Sequence, residues 1–301
     1  MKRLKSSNRD KEKMIKLRSF IPFFVALTPR QFLKAEKIAE EEIKDIINIV
    51  YEKEGLKIYS HDELALKWLE VKRFTTGSRR FDSALNGGIQ TMRIYEFFGP
   101  AGSGKTQICL QLSVNVQLPE ECGGLSSKVI YIDTERGFNV KRFIQLCKYR
   151  DLNERLALRN VLYANVETDD ELLRLLSKAK ALIKTGKIKL ILIDNISTPF
   201  RRMPELDEER LIKLSQVMAK LHELAYEFNL AVVLTNRVYS MPDEIAGEKI
   251  RPFGGMVLET AVHEKIELKK QRENIFQAKI MDDLLRTEIF RINERGVEDV
   301  T

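Results

Sequence analysis

The sequence predicts an α/β fold, with a mostly parallel central sheet covered by helices and a small helical region before it at the N-terminus. Three observations carry that expectation. Short, near-continuous apolar runs recur at residues 93–98, 128–132, 160–163, 190–193 and 230–234. Helical stretches at 140–149, 170–184 and 208–228 lie between them, the alternation expected of a parallel sheet buried on both faces. A glycine-rich segment, Gly99, Pro100, Ala101, Gly102, Ser103, Gly104, Lys105 and Thr106, joins the first run to a helix at 106–116.

That segment fits G-x-x-x-x-G-K-[ST], the phosphate-binding loop. Its glycines let backbone N–H groups turn inward around a phosphate. Lys105 places a point charge on the outer phosphates, and the Thr106 hydroxyl can ligate Mg²⁺. The helix that follows aims its positive end at the same anion. On the helix, Ile108, Leu112 and Asn115 are expected on one side, with Cys109, Leu110 and Val114 toward the sheet.

Two strand ends complete the expected crevice. The run 190–193 ends in Asp194, which at the carboxyl edge of a parallel sheet can hold Mg²⁺ through water. The run 128–132 leads to Asp133, Thr134 and Glu135. Glu135 can orient or deprotonate a water for in-line attack on a terminal phosphate, or cap the next helix. Beyond residue 261, strands at 262–269, 276–281 and 288–292 follow without intervening helices, as an antiparallel or mixed extension at one sheet edge would.

The rest of the chain divides by composition. Residues 1–18 carry eight lysines and arginines against Asp10 and Glu12, and so hold most of the net charge of +7. They read as a basic arm for nucleic-acid phosphates or as a solvated terminus. Residues 19–55 read as a small helical domain. Thr28 and Pro29 suit a helix start, and Ile43, Ile46, Ile47, Val50 and Tyr51 lie at helical spacing. Residues 56–73 form a linker with a helical patch at 61–71, in which Trp68 is expected to be a packing anchor. Residues 74–301 form the nucleotide-binding core. No run approaches the ~20 apolar residues of a membrane span. The cysteines Cys109, Cys122 and Cys147 form no C-x-x-C and read as small hydrophobes in a reducing cytoplasm.

Several short motifs together carry a family resemblance: Phe74-Thr75-Thr76-Gly77-Ser78, Leu85-Asn86-Gly87-Gly88-Ile89, the phosphate loop, Val116-Gln117-Leu118-Pro119, the strand into Glu135, Leu234-Thr235-Asn236 and Pro252-Phe253-Gly254-Gly255. From about Val25 to the C-terminus the chain resembles the archaeal RadA recombinases of the RecA family. The resemblance implies a RecA-like ATPase core that takes ATP and Mg²⁺, assembles on single-stranded DNA and works in homologous recombination and repair. A cytoplasmic, nucleoid-associated location follows from it. By the same resemblance Glu135 is the catalytic glutamate, Gln107 adjoins the nucleotide loop, and Arg142 stacks on adenine. Arg201 and Arg202 open a first DNA-binding loop. Residues 237–252 form a second, with Arg237, Lys249 and Arg251 as its cations.

Departures from the family pattern bear on function. Arg237 stands where the family has a glutamine that senses the γ-phosphate; it could replace a bound ion or reach that phosphate itself. Met256 replaces a histidine after the paired glycines. Residues 201–210 carry Glu205, Asp207, Glu208 and Glu209 against three arginines, which should weaken contact with a phosphodiester backbone. Ile58-Tyr59-Ser60-His61 replaces an F-x-x-A polymerisation motif, so homo-oligomer assembly is altered. The nucleotide-capping segment is short, at Asp282-Asp283-Leu284-Leu285, and the glycine hairpin that grips duplex DNA is missing from 1–18. Two readings remain open. One is an ATP-binding accessory paralogue with weak DNA-coupled ATPase activity, partnered by a recombinase or other repair proteins. The other is an active filament-forming recombinase that catalyses strand exchange. The intact pocket with altered coupling residues favours the first.

Overall fold

The computed structural model describes residues 61–300, apart from 186, 202–207, 244–246 and 283. The chain divides into two compact units, 1–66 and 67–301. The basic arm, the helical region at 19–55 and Ile58 to Ser60 of the altered polymerisation motif lie outside the described residues, as does the His61 side chain.

Nine strands form the main sheet. In spatial order they are β13 (Gly296–Asp299), β12 (Thr287–Asn293), β11 (Ile275–Ile280), β10 (Glu264–Arg272), β3 (Ile94–Phe98), β7 (Ala231–Asn236), β6 (Ile188–Asp194), β4 (Lys128–Asp133) and β5 (Val161–Asn165). From β10 to β5 all neighbours are parallel; β10 to β13 are antiparallel. The mixed extension expected beyond residue 261 is therefore present, with β13 as a further strand. Its four residues are too short for a hydrophobic period to register. A two-residue pair, β1 (Arg73–Phe74) with β2 (Ile89–Gln90), and a hairpin, β8 (Val238–Asp243) with β9 (Gly247–Pro252), stand apart from the main sheet.

Both faces of the parallel part are covered. Alternate residues of β4 and β6 feed two cores: Val129, Tyr131, Leu190 and Leu192 on one side, Ile130, Ile132, Ile191 and Ile193 on the other. The first face carries α2 (Arg79–Ala84), α3 (Lys105–Asn115), α4 (Val140–Lys148) and α5 (Glu154–Arg159). The second carries α6 (Asp169–Thr185), α7 (Glu208–Phe228) and α8 (Gly255–Ala261). This double covering explains why the strands read as unbroken apolar runs.

Helix α3 is enclosed on all sides from Ile108 to Asn115, where every residue is buried. Its polar members are satisfied internally: Asn115 donates to the Thr75 carbonyl at 2.9 Å, and Ser113 to the Leu110 carbonyl at 2.7 Å. One expectation is corrected: Trp68, on α1 (His61–Leu69), is 52% exposed and belongs to neither core of the described residues. Of the cysteines, Cys109 and Cys147 are buried as expected of small hydrophobes, whereas Cys122 is exposed. Among the described residues no helix is long and apolar enough to cross a membrane.

Candidate nucleotide site

Strand register brings the site together. Phe98 pairs with Asn236, Ile193 with Leu234, and Asp133 with Asp194. The carboxyl ends of β3, β7, β6 and β4 thus end at one edge, where a parallel α/β sheet binds ligands. The glycine loop leaves β3 at that edge, Arg237 leaves β7, and Glu135 stands two residues past β4.

The loop geometry accounts for its glycines. A Cβ on Gly99 would lie 2.2 Å from the Leu268 carbonyl oxygen of the adjoining strand. Gly104, the residue before α3, has φ +94°, and a Cβ there would meet Ile292 at 2.8 Å. Gly102 differs: its φ of +77° is left-handed, but nothing lies within 4 Å of its would-be Cβ. The space beside it is open. Lys105 curls back over the loop and donates to the carbonyls of Gly99 and Pro100, both at 2.8 Å. Burial lowers the pKa of this lysine, and Asp194, Arg237 and Glu135 all lie near enough to act on its charge.

Asp194 is buried and receives Thr235 Oγ1 at 2.5 Å and Tyr131 Oη at 3.1 Å, with a further hydrogen bond from the Thr106 side chain. Burial raises its pKa despite those bonds. Thr106 and Asp194 are therefore adjacent, and a carboxylate short of compensating charge beside a hydroxyl is a donor set suited to a hard divalent cation. The expected pairing of these residues fits Mg²⁺.

Glu135 is not a helix cap. Asn139 caps α4, accepting from the Arg142 backbone at 2.9 Å. The Glu135 carboxylate instead takes three donors on one oxygen, Oε1: Thr198 Oγ1 at 2.8 Å, Arg201 Nη2 at 2.8 Å and Arg237 Nη2 at 2.5 Å. Burial alone would raise its pKa, but the hydrogen bonds from Arg237 and Thr198 and the charges of both arginines hold it below the ordinary 4.5.

Arg142, on α4, reaches the first turn of α3 at Gln107. It donates to Gln107 Oε1 at 2.9 Å and to the Glu294 carbonyl at 2.8 Å. A cleft of about 450 Å³ runs along α4 beside it, lined by Asn139, Lys141, Arg142, Ile144, Gln145 and Lys148.

The candidate DNA cations divide. Arg201 and Arg237 meet at Glu135, and Arg251 is exposed on β9. Arg202 and the Lys249 side chain lie outside what is described. Arg210 is buried and stacks its guanidinium 4.3 Å from the Phe253 ring centre, which removes one of the three arginines counted over residues 201–210.

Sequence reasoning missed the residues that shape the site from behind. Asp133 accepts the backbone N–H groups of Glu135 at 3.0 Å, Gly137 at 3.1 Å and Phe138 at 2.9 Å, which fixes the turn presenting Glu135. An aspartate two residues before a turn with a downstream glycine is a readable Asx signal. Asn195 Oδ1 accepts from the Ser197 and Thr198 backbones, both at 3.0 Å, and so sets the Thr198 hydroxyl toward Glu135. Glu96, fully buried on β3, accepts from Asn236 Nδ2 at 2.6 Å; nothing in its apolar run marked that bond.

A glycine-cradled strand–loop–helix with two acidic strand ends on a parallel sheet defines a RecA-like α/β protein of the phosphate-loop class. The Rad51 family model matches residues 67–300, and the chain belongs to that family. It is 35% identical over 280 residues to the "DNA repair and recombination protein RadA" of Aeropyrum pernix, covering 91% of this chain and 88% of the relative. It is 36% identical over 248 residues to the protein of the same name from Ignicoccus hospitalis, covering 79% and 76%.

Proposed function

We propose that this protein binds ATP with Mg²⁺ at the edge formed by β3, β7, β6 and β4, hydrolyses it slowly, and serves homologous recombination and DNA repair as an accessory member of its family. Family membership and the RadA relatives support the recombination role. The observation that carries the accessory reading is the Glu135 carboxylate held by Arg201 and Arg237 at once. A carboxylate so neutralised orients a water but is a poor base.

The roles follow from position. Backbone N–H groups of the glycine loop and the Lys105 ammonium receive the phosphates. Thr106 and Asp194 hold Mg²⁺, which when bound neutralises charge on the phosphate oxygens. Glu135 orients the attacking water. Gln107, Arg142 and the α4 cleft receive the base. Arg202, Lys249 and Arg251, with Arg201 and Arg237 when released from Glu135, are the candidate contacts for single-stranded DNA. The remaining partners are a recombinase or other repair protein, a second copy of the chain being the alternative, in the cytoplasm.

Steady-state ATPase rates with and without single-stranded DNA test this. The accessory reading expects measurable turnover and less than about threefold stimulation, below the usual range of a dedicated allosteric coupling. Strong stimulation together with long filaments in electron micrographs would instead establish an active recombinase.

A further inference from the structure

The segment that carries Glu135 turns tightly after β4. Arg136, the next residue, has φ +58°, a left-handed conformation that a side chain disfavours. Such a backbone persists only where its surroundings fix it. Asp133 supplies part of that support, with Oδ1 accepting from the Glu135 and Gly137 amides and Oδ2 from Phe138. These three donors belong to the turn itself and would move with it, and the last torsion of an aspartate is soft. A tie to the sheet comes from β5, its outermost strand. Asn165 pairs with Asp133 in register, and its Nδ2 donates to the Asp133 carbonyl at 2.9 Å. Tyr163, two residues back on the same face, donates its hydroxyl to Asp133 Oδ2 at 3.2 Å. Its ring lies 5.6 Å from that of Phe138, at the far end of the turn. Burial and the Asp133 charge push the Tyr163 hydroxyl above its ordinary value of 10, so it remains a donor.

We propose that Tyr163 is a positioning residue for Glu135: its hydroxyl ties the Asp133 carboxylate to β5 and so holds the turn that presents Glu135 to the attacking water. This rests on the reading of Glu135 given above. Thr198, Arg201 and Arg237 hold the tip of the Glu135 side chain, whereas Tyr163 acts through Asp133 on its backbone. Without the hydroxyl, the Asp133 carboxylate keeps only amides of its own turn, and the left-handed Arg136 is free to relax. Glu135 then samples positions away from the water, which slows the chemical step. Nucleotide binding is spared, because no hydrogen bond among the described residues joins Tyr163 to the glycine loop or to Asp194. Tyr163 is 48% exposed, so this control point lies at the edge of the sheet and outside the pocket.

Tyr163→Phe in the full chain tests the proposal, because it removes the hydroxyl and keeps the ring beside Phe138. Its kcat for ATP should fall roughly fivefold, the size of one hydrogen bond, with KM and melting temperature at their wild-type values. Hydrogen exchange at the amides of Glu135, Gly137 and Phe138 should quicken while the rest of the sheet keeps its protection. Arg136→Gly, which relieves the left-handed strain, should shrink the kcat loss when combined with Tyr163→Phe. A wild-type kcat, or wild-type exchange at those three amides, overturns the proposal. So does a kcat loss matched by a lower melting temperature, which would make the hydroxyl merely structural. A wild type that binds ATP without hydrolysing it would overturn the reading of Glu135 instead, and the exchange result would then still decide whether Tyr163 holds the turn.

Discussion

At the end of β3, Lys105 bends onto two carbonyl oxygens of its own loop, and Asp194 is shut behind Thr106, Tyr131 and Thr235. At the ends of β4 and β7, Glu135, Arg201 and Arg237 meet through side chains that are 29%, 46% and 47% exposed. The first region is built from buried groups and backbone that only glycine can adopt, so a change there should cost binding or folding outright. The second is a half-exposed cluster of exchangeable charges, where sequence can drift and alter coupling without dismantling the pocket. Among the departures from the family pattern, Arg237 falls in the second region and none falls in the first. A chain can thus keep its nucleotide while changing how the nucleotide is read.

That contrast predicts a graded series of effects. Asp194→Asn should lower Mg²⁺-dependent ATP turnover by about a hundredfold, as expected for a residue that holds the metal; turnover across a Mg²⁺ titration measures it, and a wild-type curve would break the assignment. Gly99→Ala places a methyl 2.2 Å from the Leu268 carbonyl oxygen. It should cost about 3 kcal/mol, or roughly 6–12 °C in melting temperature. Gly102→Ala meets nothing within 4 Å and should melt within about 3 °C of wild type, since only its backbone angle is strained. Equal losses would mean that the two glycines are not doing different jobs.

The acid limb of stability sharpens the other side of the comparison. Burial raises the Glu135 carboxyl, but Arg237, Thr198 and Arg201 together bring it below 4.5. Its folded pKa lies below its unfolded one, so the ion pairs contribute in full above pH 4.5 and fade as pH falls through the lowered value. Arg237→Ala should therefore begin acid unfolding at a higher pH than wild type, followed by circular dichroism; superimposed curves would show the pair to be idle. The smallest effect concerns the arm. Removing residues 1–18 should flatten the salt dependence of DNA binding, by about 0.7 in slope for each single-strand phosphate that the arm had neutralised. An unchanged slope would leave the exposed cations of the rim as the whole electrostatic footprint.

The sheet was legible because its strands are buried on both faces and its helices are long; α7 begins and ends where its spacing placed it, at Glu208 and Phe228. What escaped was short or polar. Strands β1 and β2 have two residues each, and β8 with β9 reads in sequence as a loop rich in Pro, Asp, Glu and Gly. Helix α5, six residues capped by Asn153, is too short for an amphipathic period to show. In the site, the loop and Asp194 announced themselves by motif. The joining of Arg201 to Arg237 did not, because it depends on two loop roots 36 residues apart in sequence meeting over a third strand end. Asp133 differs: its bonds to the backbone of Glu135, Gly137 and Phe138 are local, and the Asx signal that marks them was there to be read.

Calorimetric titration of Mg²⁺·ATP into the wild-type chain and into Lys105→Ala tests the account most directly. A saturable wild-type site that vanishes in a variant still folded by circular dichroism is the predicted result. Equal ATP affinity in the two proteins would contradict the account, because the triphosphate would then be held somewhere other than between the glycine loop, Asp194 and Glu135.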